Sequence, residues 1–147
     1  MMQSVQLPLG AALMVVLGMA SVIAYRAAVP EPAAPACRAG TDRMERVELL
    51  FGMGRKGGGE VGEEDWSAFL ETEVTPRFPD GLTVLTGYGQ WRNATGAIAK
   101  ETSRVLLIWI KPGPGNTPNV EAIRAAWKAR FQQDSVVRVD GASCVSF

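Results

Sequence analysis

The sequence predicts an α+β domain in which two helices cover a four-stranded antiparallel sheet, preceded by an N-terminal hydrophobic segment. Three observations carry this. Apolar and polar residues alternate over Val47–Met53 and Leu82–Arg92, and Val105–Ile110 is apolar on both faces, which are strand patterns. Two other stretches, from Glu63 and from Thr117, repeat their large apolar residues at helical spacing. Leu7 to Tyr25 carries no charge and is about as long as a bilayer-spanning helix needs, roughly 20 residues.

Taken in order, Val47, Leu49, Phe51 and Met53 form one apolar face of the first strand. The glycine-rich stretch Gly52 to Gly62 ends it as a surface loop. Glu63, Glu64 and Asp65 then suit the first turn of a helix, where the macrodipole favours carboxylates, and Trp66, Phe69, Leu70 and Val74 supply its buried face. Pro76 and Pro79 end that helix, and Pro79-Asp80-Gly81 is a turn into the second strand. Along that strand Leu82, Val84, Thr86, Tyr88, Gln90 and Arg92 share one face, which grades from apolar to polar. Asn93 to Gly96 is a hairpin turn, placing Gln90–Arg92 near Ala97–Ala99 on a third strand from Ile98 to Ile110. A loop, Lys111 to Asn116, leads to the second helix, with Thr117 as cap and Pro118 in the first turn. Val120, Ile123, Trp127 and Phe131 line its buried face. Ser135 to Val139 is the last strand.

The resulting order, β-α-β-β-α-β, is the ferredoxin-like split βαβ pattern. Its first and last strands are adjacent and antiparallel, so Cys37 and Cys144, just outside the two ends of the domain, come within reach of each other. A Cys37–Cys144 disulfide is therefore favoured over a lipidated Cys37 or two free thiols. Residues 1–25 read as a signal peptide or signal anchor, 26–43 as a Pro/Ala-rich spacer and 44–147 as the single ferredoxin-like domain. Both Val22-Ile23-Ala24 and Ala34-Pro35-Ala36 offer small residues spaced for cleavage. The domain is expected outside the cytoplasm, periplasmic or otherwise extracytoplasmic, and attached to the membrane if the segment is retained.

VELLFGMGR, EEDWSAFLETEVTPRFPDGLTVLTGYGQWR, SRVLLIWI and the closing EAIRAAWKARFQQDSVVRVDGASCVSF resemble a bacterial family of small secreted proteins, some labelled lipoproteins, catalogued as a domain of unknown function. The resemblance covers roughly Cys37 to Phe147. It implies an exported single domain and carries over no catalytic residue.

Composition narrows the chemistry. Lys plus Arg and Asp plus Glu are 15 each, so there is no basic footprint and nucleic acid is not an expected partner. The chain has no histidine, which excludes Ser-His and Cys-His catalysis and Cys/His zinc sites. No metal or cofactor is expected. Gly52-Met53-Gly54-Arg55-Lys56-Gly57 spells G-x-G-x-x-G, but the helix after it opens with three carboxylates where a pyrophosphate would sit, so a dinucleotide site is rejected. Asn93-Ala94-Thr95 matches a glycosylation sequon.

The one polar and aromatic constellation that hairpin pairing could assemble is Arg77, Asp80, Tyr88, Gln90, Trp91, Arg92, Ser103 and Arg104. It would make a pocket walled by Tyr88 and Trp91, floored by Gly87 and Gly89, with Arg92 or Arg104 for a carboxylate. Its ligand would be a small anion or an envelope component. Two helices cover only one sheet face, so the second apolar face of Val105–Ile110 needs a homodimer partner, the KPGPGN loop or the N-terminal segment over it. The expected function is an envelope-associated binding or interaction module. The alternative is a dimeric α+β barrel-like enzyme or small-ligand carrier using the Tyr88, Gln90 and Arg92 face.

Overall fold

The computed structural model describes residues 36–93 and 95–147; the expected signal segment and most of the spacer lie outside them. Cys37–Phe147 is one compact unit. Its elements are strand β1 (Asp42–Gly52), helix α1 (Glu63–Phe69) continued by a π-helical turn (Leu70–Val74), strands β2 (Thr83–Arg92) and β3 (Ile98–Ile110), helix α2 (Asn116–Phe131) and strand β4 (Val137–Val145). The sheet order is β2-β3-β1-β4, antiparallel throughout. β1 and β4 are neighbours, as expected, and Cys37 is bonded to Cys144 with the two Cα atoms 5.5 Å apart.

Several boundaries move. β1 starts at Asp42, because its ladder with β4 continues to Asp42 opposite Val145, so Cys37 to Arg43 belong with the domain rather than with the spacer. The same ladder carries β4 to Val145, through Asp140 and Gly141, which locally read as turn residues. Helix α2 starts at Asn116, with Gly115 rather than Thr117 as cap, and Asn116 donates to the Glu45 carboxylate and the Lys111 carbonyl. Pro118 is still in the first turn, where a missing N–H costs nothing. The end of the first helix widens: Thr75 N–H reaches the Leu70 carbonyl. A proline at 76 would clash with the carbonyl four residues back in a regular helix, and the wide turn before it avoids that.

The glycine-rich loop is a closed excursion. Arg55 N–H donates to Gly59 O, Val61 N–H to Met53 O, and Gly57, Gly58 and Gly59 all have positive φ. At its tip Arg55 pairs with Asp65, and Lys56 with Asp134 at 3.0 Å.

Alternation decides which side of the sheet is the core. Val47, Leu49 and Phe51 of β1 and Leu106 and Ile108 of β3 face the helices and are buried with Trp66, Phe69, Val120, Ile123, Trp127, Phe131 and Val136. Phe51, Trp66, Phe69 and Trp127 meet one another with ring centroids 4.9–6.1 Å apart. Outside this core Arg138 bridges α2 and β4. It pairs with Asp140 and Glu121, and the bonds from Arg138 and then Arg124 hold the Glu121 carboxyl below the usual carboxylate range.

Candidate functional site

The register separates the residues that sequence reasoning grouped. On β2 the even positions, Val84, Thr86, Tyr88, Gln90 and Arg92, share the helix side with Val84's buried partner Leu106, while Thr83, Leu85, Gly87, Gly89 and Trp91 point to the other face. Tyr88 and Trp91 therefore lie on opposite faces and cannot wall one pocket. The pairing is Gln90 with Lys100, Trp91 with Ala99 and Arg92 with Ile98, one position from the expected register because the hairpin closes by Asn93 N–H to Ala97 O. Asn93 Oδ1 accepts from Thr95 N, Thr95 Oγ1 and Ala97 N, so the sequon asparagine organises the turn.

The arginines are engaged locally. Arg77 pairs with Glu73 at 3.0 Å and lies, like the exposed Asp80, ahead of β2. Gln90 is seven residues into that strand from Thr83, about 23 Å at roughly 3.3 Å per residue. Arg104, on the helix side opposite Thr86, bonds that hydroxyl and pairs with Glu63 in the first turn of α1. Arg92 donates to Gly96 O at 2.9 Å. None of the three points at the floor of Gly87 and Gly89.

Two surfaces remain. On the helix side, beyond the helices, a shallow open groove of about 290 Å³ is lined by Glu60, Tyr88, Gly89, Gln90, Lys100, Glu101 and Thr102. Tyr88 stands 88 % exposed there. Among the described residues no cluster of three or more His, Cys, Asp or Glu side chains could hold a metal.

The second surface is the sheet face turned away from the helices. At one end Trp91 Nε1 donates to Glu101 at 3.1 Å and Gly54 N–H to the same carboxylate at 3.3 Å. Glycines make the space: a Cβ on Gly52 would sit 2.7 Å from Glu101 Oε2, and one on Gly87 3.1 Å from Ser103 Oγ. Of the eight residues expected at a site, only Trp91 and Ser103 belong to this face. Glu101, which anchors it, is not among those eight; its position opposite Gly89 is the signal that could have found it. Replacing Gly52 with alanine drives the carboxylate off both donors and is expected to cost about 1–2 kcal/mol in a urea titration. In Glu101→Ala the same change should cost far less, since the clash is gone.

Apart from the Arg46–Glu48 ion pair on β1, most of the rest of this face is apolar. Leu50 on β1, Val105, Leu107 and Trp109 on β3, Leu85 on β2, and Val137 and Val139 on β4 all point into it, with Leu85, Trp109, Val137 and Val139 exposed. Among the described residues, Leu85, Val137 and Val139 on this side are about half exposed and Trp109 is 37 % exposed.

Residues 46–147 match a family described as a protein of unknown function, DUF3574. No curated protein matches the chain. Among solved structures, a phage SAM lyase in complex with S-methyl-5'-thioadenosine is similar over 77 % of this chain and 95 % of its own, with a TM-score of 0.56 and 13 % identity. A phage SAM lyase in its apo state covers 78 % of this chain and 97 % of its own at a TM-score of 0.47 and 15 % identity, too low to carry an argument. The first likeness shows a shared fold and says nothing of activity.

Proposed function

This chain belongs to the DUF3574 family, and from that premise we propose that it is an exported, envelope-associated interaction module of ferredoxin-like topology whose working surface is the open face of its sheet. One observation carries this reading. Leu85, Trp91, Trp109, Val137 and Val139 are all exposed on a single sheet face, while on the other face Val47, Leu49, Phe51, Leu106 and Ile108 are buried under the helices. Large contiguous apolar surface is expensive to leave in water and marks an interaction site. The Cys37–Cys144 bridge supports export, since such bonds persist where the surroundings are oxidising.

The test is site-directed photo-crosslinking in the intact envelope of the host. A photoreactive residue at Leu85 or Val139 should give adducts, whether to this chain or to another molecule, and one at exposed Arg130 on α2 should not. Absence of adducts from both open-face positions, with the protein present and oxidised, would sink the reading. A mature chain beginning between Tyr25 and Cys37, two daltons lighter than its reduced form, is the accompanying mass expected for export.

A second reading, a small-ligand carrier or enzyme, would use the helix-side groove. Gln90 and Lys100 are paired across the hairpin and line that groove with Tyr88, Thr102 and Glu60, a mixture of donors and acceptors that suits a small polar ligand.

A further inference from the structure

Resting on the open face as the working surface, we propose that its occupant is a second copy of this chain, packed sheet to sheet in a two-fold dimer. Three features of the face point to a like partner.

The first is its charge. β1 and β3 are the two central strands, and the charges in the middle of their open face are Arg46 and Glu48, two residues apart on β1 and paired with each other. A two-fold contact repeats every interaction in both directions. A second copy therefore presents one anion and one cation to the same pair, so the ion pair can be exchanged between copies and neither charge is left buried alone. An anionic lipid surface would require an excess of cations, and this face has none.

The second is size. Strands of 11, 10, 13 and 9 residues, at about 3.3 Å per residue and 4.8 Å between strands, present a face of roughly 700 Å². Covering three-quarters of it on each copy removes roughly 1,000 Å² in total, about the threshold for a specific interface.

The third is shape. Leu50, Leu85, Val105, Leu107 and Val139 stand together on one face of the sheet, and sheets of one hand of twist stack face to face about 10 Å apart. Trp109, beside Arg46 in the ladder, supplies the aromatic anchor that interfaces concentrate near their centre.

The experiment is native mass spectrometry and sedimentation of the protein purified from its host at micromolar concentration. A dimer is expected, and Leu107→Glu should raise its dissociation constant by about 30-fold or more, as should Trp109→Glu, which places its carboxylate opposite Arg46 rather than opposite Glu48. Arg46→Glu and Glu48→Arg should each weaken self-association, and a mixture of the two variants should form heterodimers in preference to either homodimer. Three outcomes overturn the proposal: a monomer at tens of micromolar, a dimer that survives both Leu107→Glu and Trp109→Glu, or an open face protected from solvent in a monomeric full-length chain, which would make residues 1–35 the occupant. A monomer in solution with crosslinks from Leu85 to a different molecule removes the dimer and leaves the interaction reading standing. No crosslink at all removes both.

Discussion

Replacing Cys37 and Cys144 together by serine should lower the unfolding free energy of this domain by about 4 kcal/mol and its melting temperature by roughly 15–25 °C. The bond joins residues 107 apart in sequence, which is nearly the whole of the folded unit, so cutting it releases the unfolded chain from its largest constraint. The native fold should change little, because the β1–β4 ladder already holds the two ends of the domain side by side. Most of the effect therefore lies in the unfolded state. A reduced chain that unfolds into a more open ensemble should also show a steeper denaturant dependence than the oxidised one. Chemical denaturation of the two forms checks both points, and a difference under about 1 kcal/mol would show that the unfolded chain stays closed without the bond. The functional consequence is direct: domains of this size have only about 5–15 kcal/mol to lose, so a reducing compartment removes a large share of it.

The second large effect is in the aromatic core. Trp127→Ala is expected to destabilise the domain by about 3–5 kcal/mol, while Trp109→Ala in the monomer should cost under about 1 kcal/mol. Both are tryptophans in regular elements. Trp127 is fully buried and touches Phe51, Trp66, Phe69 and Phe131, so its loss leaves a void between α2 and the sheet that these rings cannot close. Trp109 stands on the open face with solvent beside it. Trp127→Phe should be milder than Trp127→Ala, for the indole Nε1 is buried without a hydrogen-bond acceptor and its removal relieves that group. Thermal and urea unfolding of the three variants give the ranking. Equal losses at positions 109 and 127 in a monomer would mean the open face is packed against something within the chain.

The order of elements was legible in the sequence because each rests on local information. Val47, Leu49 and Phe51 alternate, Trp66, Phe69 and Val74 recur at helical spacing, and Ile98 and Ile110 bound a strand that the structure reproduces residue for residue. The pairing of Cys37 with Cys144 followed from that order, since adjacency of first and last strands is a property of topology. The errors arose where a ladder overrides local preference: Asp140 and Gly141 look like a turn, yet their backbone groups are paired with Val47 and Arg46 of β1.

The candidate site was less legible. Hairpin pairing was expected to gather Tyr88, Trp91, Arg92 and Arg104, but Arg104 lies opposite Thr86, six residues or about 20 Å along the strand from Arg92. Whether two such residues share a face depends on strict parity, and a one-residue difference sends a side chain to the opposite side of the sheet. What this sequence determined by itself is the set of elements, their order and the apolar excess of the third strand, because those follow from periodicities within each segment. Only the tertiary structure decided that Glu101 lies over Gly52, that the arginines are occupied by Glu73, Thr86, Glu63 and Gly96, and that Leu85, Val137 and Val139 stand exposed on one face of the sheet. Each of these depends on which backbone stands opposite which across strands distant in sequence, and no segment carries that information alone.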